Sequence, residues 1–450
     1  MRTVGNFNDL PTDRGKCVEI GSEKILLIRD GDAVRAYCAL CPHAQGPLEQ
    51  GALIHGRIVC PWHKATFRAA DGALLEPPAL EPLTRYPVRL EKNGDILVSP
   101  TGQRPKATVP PPERGSIVIV GAGAAGTAAA AALREMGNGC EITLIGEEPG
   151  APYDRTSLSK FVVAGTMEPE AVPPLRPPGF AAALRIRRLT TEVVRLDARA
   201  RCVYTKDGRI IPYQAALIAT GGVPRRLDIP GADLAGVYTL RNRRDAAGII
   251  ASAREAANVV VLGSSFIGLE VASALRELGR DVAVVSPEAV PFTKQLGPRM
   301  GGLFKALHEE NGVVFHPGTR AARLTGSRHV EAVVLEDGGQ LPAQLVIVGV
   351  GVRPATKFLS GVPLGEDGGI PVDGGMRAAE DVYAAGDVAA FPLPHGSERR
   401  VRIEHWRVAE QQGRIAARNL LGGAERYSGV PFFWTYHYGK RFEYLGHAER

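Results

Sequence analysis

From residue 1 to about 100, apolar and polar positions alternate in short runs, as in KILLIRDG, ALIHGRIVC and RYPVRLEKNGDILVSP. Gly, Asp and Asn separate the runs, so the pattern predicts short strands and an all-β domain. Residues 101–115, TGQRPKATVPPPERG, are Pro-rich and polar with no apolar period, which predicts a semi-rigid linker. The pattern changes at residue 116. SIVIVGAGAAGTAAAAALREMG reads as a buried strand, a Gly-rich turn and an Ala-rich helix, with EITLIGEE as the next strand. The same order returns about 140 residues later in NVVVLGSSFIGLEVASALRELG and DVAVVS. Two such units predict two dinucleotide folds. ALIATGG, QLVIVGVG and DVYAAGDVA add buried strands, VAEQQGRIAARNLLGG a helix, and FFWTYHYGKRFEYLGHAER a last β-like segment. The expected class is multidomain, an all-β unit followed by an α/β unit.

Length and composition narrow this picture. A chain of 450 residues suggests about three domains. The 44 % hydrophobic and 23 % charged residues are those of a globular protein, and no run of about eighteen apolar residues predicts a membrane span. MRTVGNFNDLPTDRG has no apolar core or cleavage site, so no secretory signal is read. The net charge of +6 comes from scattered Arg, with no basic block, so neither nucleic acid nor membrane is an expected partner. Cysteines stand at 17, 38, 41, 60, 140 and 202. Three of them crowd into 38–60 beside histidines, which is the arithmetic of a metal site and favours a reducing, cytoplasmic setting.

Cys41 and His43, then Cys60 and His63, form a C-x-H … C-x-x-H pair with sixteen residues between His43 and Cys60. Each loop offers one thiolate and one imidazole. A mixed-ligand [2Fe–2S] cluster takes two thiolates on one iron and two imidazoles on the other, which raises its potential above all-Cys ferredoxins. Zinc is the rival, but its knuckles usually pair Cys with Cys and His with His. The segment resembles the Rieske ferredoxin family over its whole length. The resemblance implies Cys41 and Cys60 on one iron and His43 and His63 on the other. Respiratory members carry an extra disulfide-forming cysteine in each loop. Gly46 and Trp62 occupy those places here, which implies the ferredoxin-like, lower-potential subtype. Cys38, Cys17, Cys140 and Cys202 are expected as small packed residues.

Gly121, Gly123 and Gly126 form a G-x-G-x-x-G turn between a strand and a helix. The first makes the tight turn, the second lets backbone N–H groups reach a pyrophosphate, and the third lets the helix pack closely. Glu147, ending the next strand, can accept from a ribose diol. From about 116 to 450 the chain resembles ferredoxin-reductase-like flavoproteins. Within them it is most similar to apoptosis-inducing-factor-like proteins with an N-terminal Rieske domain. The family's PYxRPxLSK appears as PYDRTSLSK, with Thr156 in the Pro place. The resemblance implies FAD contacts by Arg155, Lys160, the turn Ala219, Thr220 and Gly221, and Gly386 with Asp387. It puts Lys160 near the flavin's reactive nitrogen and the flavin-side aromatics at Trp406 and Trp434. It also implies the division 1–100 Rieske, 101–115 linker, 116–244 FAD-binding, 245–366 NAD(P)-binding, 367–425 FAD-binding again, and 426–450 the opening of an interface domain that looks truncated.

The second fingerprint is Gly263, Ser264, Ser265, Phe266, Ile267 and Gly268, with Ser265 where the middle Gly belongs. The resemblance implies a nicotinamide site there, with Glu270 reaching Lys160. The NAD-selecting acid is expected at Ser286 and is absent; Glu288, two residues on, can substitute or repel a 2′-phosphate, so NADH and NADPH both remain open. No cysteine lies between 141 and 201, where disulfide reductases of this fold keep a redox pair. The expected route is therefore NAD(P)H to FAD to cluster to an outside acceptor, an oxygenase or another redox protein, with Lys160 and Glu270 catalytic. A homodimer is an expected assembly. Two rivals stay open. In one the Rieske domain is an input or regulator; in the other the protein is a redox sensor whose NAD(P)H-bound form changes partners.

Overall fold

The computed structural model describes residues 1–104, 111, 113, 115–394 and 399–447. Of the expected linker, 105–110, 112 and 114 lie outside the described residues. The N-terminal unit is all antiparallel. Arg2–Asn6, Asp95–Val98 and Val88–Leu90 form one sheet; Lys16–Ile20, Glu23–Asp30 and Ala33–Cys38 form a second. A four-stranded sheet, Ala52–Ile54, Arg57–Val59, Thr66–Arg68 and Leu74–Glu76, carries the second cluster loop between its middle strands. Leu26, Tyr37, Leu48, Phe67 and Leu83 make a core that includes Cys41 and Cys60 themselves. The Tyr37 hydroxyl closes this core by donating to Ala69 O at 2.7 Å.

The reductase half holds two parallel sheets. The first runs in the order Ile186–Thr190, Glu141–Gly146, Ser116–Val120, Ala215–Ile218, Val382–Ala384, with Arg377–Ala379 antiparallel at the edge. Its helix α1 (Ala124–Glu135) is almost wholly buried, and after it comes the single turn α2 (Phe180–Ala183). Helix α3 (Arg243–Glu255) starts with a capping box from Asn242 and Asp245. It leads to the second sheet, ordered Val237–Tyr238, Leu345–Val348, Asn258–Leu262, Asp281–Ser286, Val314–Pro317. Helices α4 (Phe266–Glu277) and α5 (Thr293–Glu310) cover it. Helix α6 (Trp406–Leu420) returns to the first sheet and lies on α1. The Ala-rich face of α1 permits this closeness: a Cβ on Gly413 would stand 2.2 Å from Ala125 O. The final segment is a hairpin, Phe432–His437 with Lys440–Leu445, packed on α4 and α6.

Both Gly-rich turns are built as the pattern requires. Gly121 has φ +110°, and a Cβ there would meet Ala219 O at 2.1 Å; one on Gly126 would meet Gly121 O at 1.9 Å. In the second turn Ser265 has φ −73°, so a side chain costs nothing there, and its hydroxyl accepts from Gly268 N at 3.2 Å as the N-cap of α4.

Candidate functional site

One large cavity, about 1420 Å³, opens between the two halves of the reductase and the Rieske unit. That exceeds the roughly 300–1,000 Å³ of a typical small-molecule pocket, and leaves room for extended dinucleotides. Gly121, Gly123, Glu147, Arg155, Lys160, Ala219, Thr220, Gly221, Gly386, Asp387, Trp406 and Trp434 line it, as do Phe266, Ile267 and Glu270 from α4. Gly126, Gly263, Ser265 and Gly268 stand outside the lining and shape the turns behind it. Nothing lies within 4 Å of a Cβ built on Gly123, at the N-terminus of α1, so the turn leaves open space where a pyrophosphate can meet backbone N–H groups. The His405 Nδ1 and Glu410 Oε2 atoms are buried without a partner on residues of the same lining. Such orphans suit a polar ligand, so these residues fit FAD with a nicotinamide.

Lys160 lies in a π-helical turn, Leu158–Val162, and points inward. Its ammonium is 3.0 Å from Glu270 Oε1 and 3.1 Å from Oε2, with both side chains buried. Ser159 also donates to Glu270, at 2.5 Å. Arg155 pairs with Glu148 and donates to Arg241 O at 2.8 Å; Arg241 in turn reaches Asp387 at 3.3 Å. Ser286 is buried outside the lining, and its hydroxyl is shared with Ser264 at 2.8 Å and Glu288 at 2.8 Å. Glu288 is exposed.

The four metal-ligand candidates come together in two pairs. Cys41 and Cys60 share a hydrogen bond that, with backbone N–H groups of His63 and Trp62, lowers the Cys60 thiol to about 6. The His43 and His63 rings meet edge to face, with Nδ1 atoms 3.1 Å apart. Burial lowers both imidazoles, His63 to about 3, so each is neutral with a lone pair to offer. Among the described residues no three such side chains converge on one point. Two thiols beside two imidazoles is instead the donor set of a cluster with two ligands per iron. A Cβ on Gly46 would stand 3.0 Å from Cys60 Sγ and 3.2 Å from the Trp62 ring, so the loop packs too tightly there for a larger residue.

His43 and His63 also line the dinucleotide cavity. The His63 ring is 5.5 Å from the Trp434 ring, and Lys160 Nζ and Arg441 Cζ each lie 4.9 Å from the Trp434 centroid. Side chains of the reductase half hold the second cluster loop and the following segment 76–80 against this wall. Arg407 donates to Pro77 O at 2.9 Å, Arg441 donates to Trp62 O, and Arg176 donates to Leu80 O; Gln411 donates to Glu76 at 2.6 Å. None of these four stands out in the sequence, because a single contact between distant segments, three of them to backbone carbonyls, has no motif.

Residues 2–87 match the model of the Rieske [2Fe-2S] domain, and residues 115–413 match that of the pyridine nucleotide-disulphide oxidoreductases. The chain belongs to the pyridine nucleotide-disulphide oxidoreductase family, with a Rieske domain at its front. It is 37 % identical to apoptosis-inducing factor 3 of Mus musculus, over 99 % of this chain and 76 % of that protein. It is 38 % identical to rhodocoxin reductase of Rhodococcus erythropolis, over 74 % and 78 % of the two chains. The solved covalent putidaredoxin reductase–putidaredoxin complex superposes with a TM-score of 0.69 at 32 % identity, covering 74 % of this chain and 81 % of that one. The protein is thus an oxidoreductase of the ferredoxin–NAD reductase type, with FAD, NAD(P)H and a [2Fe–2S] cluster as its cofactors. None of its six cysteines is in a disulfide. No helix of the described residues is long and apolar enough to cross a membrane.

Proposed function

We propose that the chain oxidises NAD(P)H and passes the electrons to its own Rieske cluster, and from there to a separate redox protein. The observation that carries this is the shared wall: both imidazole ligands face the cavity that holds Lys160 and Glu270, with Trp434 bridging His63 and Lys160. Flavin bound there supplies the conversion of a two-electron hydride into single electrons, the form a [2Fe–2S] cluster accepts. The chain's own part is placement. Gly121, Gly123 and Gly126 admit the FAD pyrophosphate, and Glu147 its ribose. Arg155, Ala219, Thr220, Gly221, Gly386, Asp387 and Trp406 flank the ring system. Gly263, Ser265, Phe266, Ile267 and Gly268 form the nicotinamide-side turn. Ser286, being buried, orients Glu288 toward the adenosine ribose. Lys160, paired with Glu270, sets the charge beside the reacting atoms.

The acceptor is an oxygenase component or another electron-transfer protein, of the kind named in the reductase relatives. Six cysteines outside disulfides accord with a cytoplasmic site. The near full-length match to apoptosis-inducing factor 3 favours a second reading, a redox sensor whose NAD(P)H-bound form selects partners. Anaerobic rapid mixing with NADH and with NADPH tests both, following flavin and cluster bleaching separately. Fast bleaching of flavin, then cluster, supports the reductase. A long-lived nicotinamide complex with an oxidised cluster supports the sensor.

A further inference from the structure

Polar side chains continue behind the Lys160–Glu270 pair, away from the cavity and through an apolar core. Thr435 Oγ1 donates to Glu270 Oε1 at 2.6 Å and lies 2.9 Å from His437 Nε2. His437 Nδ1 is 3.2 Å from His308 Nε2, and His308 Nδ1 is 3.1 Å from the Tyr438 hydroxyl. Helix α4, helix α5 and the hairpin each contribute a part of this chain. Glu270, Thr435, His437 and His308 are 4, 2, 0 and 0 % exposed. Tyr438 is half-buried and adjoins exposed Gly439 and Lys440, so the series runs from the cavity wall toward the surface.

Packing alone does not account for it. Phe304 lies 5.3 Å from His437, and Phe315 lies 6.2 Å from His308, surroundings in which an apolar side chain costs less than an imidazole. Each ring has one nitrogen engaged on either side, the arrangement that lets a ring accept a proton at one atom and release it from the other. One set of tautomers satisfies every link. Tyr438 donates to His308 Nδ1, His308 Nε2–H to His437 Nδ1, His437 Nε2–H to Thr435, and Thr435 to the Glu270 carboxylate. Burial lowers His308 to about 3, helped by His437, and lowers His437 to about 4, helped by Lys160 and opposed by a hydrogen bond to the Leu269 backbone, so both rings are neutral near pH 7. Burial and then Glu277 raise the Tyr438 phenol, against Ser273 and Arg276, so it keeps its proton.

We propose that Glu270, Thr435, His437, His308 and Tyr438 form a reversible proton path, by which the Glu270 carboxylate takes up a proton from the surface when negative charge enters the cavity and returns it when that charge leaves. The path rests on the reading that a hydride arrives here and electrons depart. The Glu270 carboxylate neutralises the Lys160 ammonium beside it, so protonating Glu270 frees that positive charge to face the negative charge that enters. On uptake the Tyr438 proton moves to His308 Nδ1 and the His308 Nε2 proton to His437 Nδ1. The His437 Nε2 proton then moves to Thr435, the Thr435 proton to Glu270, and water replaces the proton of Tyr438. Each link breaks one bond to hydrogen and forms one, no electron moves, and the reverse shift restores the first arrangement.

The test mixes holoenzyme anaerobically with NADH or NADPH in weak buffer containing a pH-indicator dye. Dye, flavin and cluster absorbance are read separately, and a parallel infrared difference spectrum reads protonated carboxyl. In the parent, proton uptake and a carboxylic-acid band accompany flavin bleaching. His308→Gln keeps a hydrogen-bonding side chain but cannot pass a proton between two ring atoms, and His437→Phe breaks the path outright. Both slow proton uptake on the order of 100-fold while the flavin still bleaches. No uptake in the parent, or an unchanged uptake rate in both variants, overturns the path. Flavin bleaching without cluster bleaching refutes the electron route and leaves the proton signal to be judged on its own; no flavin bleaching at all removes both.

Discussion

The docking of the cluster loops can be weakened at two arginines of the cavity wall while the Lys160–Glu270 pair and both Gly-rich turns stay intact. Arg407 grips Pro77 O at 2.9 Å and Lys64 O at 3.4 Å from α6, and Arg441 grips Trp62 O from the hairpin. A hydrogen bond from a charged donor contributes about 1.5–3 kcal/mol. Replacing both, as Arg407→Ala with Arg441→Ala, removes about 3–6 kcal/mol if the two act independently, a factor of roughly 10²–10⁴ in the docked population. Arg176 at Leu80 O and Gln411 at Glu76 remain, so the domain is loosened and not released. Rapid mixing with NAD(P)H then gives flavin bleaching within about twofold of the parent, because the Lys160–Glu270 pair and both Gly turns are intact. Cluster bleaching slows by at least about tenfold. Arg407→Ala alone shows a smaller delay, and it spares the Arg441–Trp434 stack, so it separates docking from disturbance of Trp434. Cluster bleaching at the parental rate in the double variant would refute the docked interface as the electron route.

Three further outcomes are expected. Purified protein carries about two irons, two sulfides and one FAD per chain; His63→Ala removes the cluster signal and cytochrome c reduction while dye reduction by the flavin persists, and zinc in place of iron would contradict this. Glu288→Ala raises kcat/KM for NADPH relative to NADH about fivefold, the effect of losing one exposed like charge worth about 1 kcal/mol; an unchanged ratio places the adenosine ribose elsewhere. His308 and His437, lowered to about 3 and about 4, bind protons more weakly folded than unfolded, where His titrates near 6.5. Stability they allow at neutral pH is therefore lost as pH falls below about 6.5, and His308→Gln with His437→Phe flattens the drop in melting temperature between about pH 7 and 5.

The sequence was most legible where chemistry demands fixed spacing. The Cys41/His43 and Cys60/His63 loops and the Gly121–Gly126 turn follow from ligand count and from glycines whose missing Cβ atoms the backbone requires. The second turn was harder to read, because Ser265 breaks the glycine pattern while its extended φ and capping hydroxyl keep the same backbone. Ser286 was expected to face a ribose from its place at a strand end. That register fixed its depth but not its partners, and its hydroxyl turns to Ser264 and Glu288. The contacts between distant segments were not legible. Arg407 and Trp434 meet the Rieske loops across more than three hundred residues of chain, and hydrogen bonds to carbonyls leave no periodicity behind. The His308–His437 pair is likewise two lone histidines until α5 and the hairpin bring them together. A semi-rigid linker between two halves carries no signal of how they meet, and the structure gives them one cavity.

The central claim is that each chain reduces its own cluster. The direct measurement is the rate of cluster bleaching after anaerobic mixing with excess NAD(P)H, repeated across about a hundredfold range of protein concentration. An internal route is first order, so the rate constant stays the same at every concentration. A rate that falls in proportion to dilution would mean that clusters are reduced by other molecules, and would contradict the account.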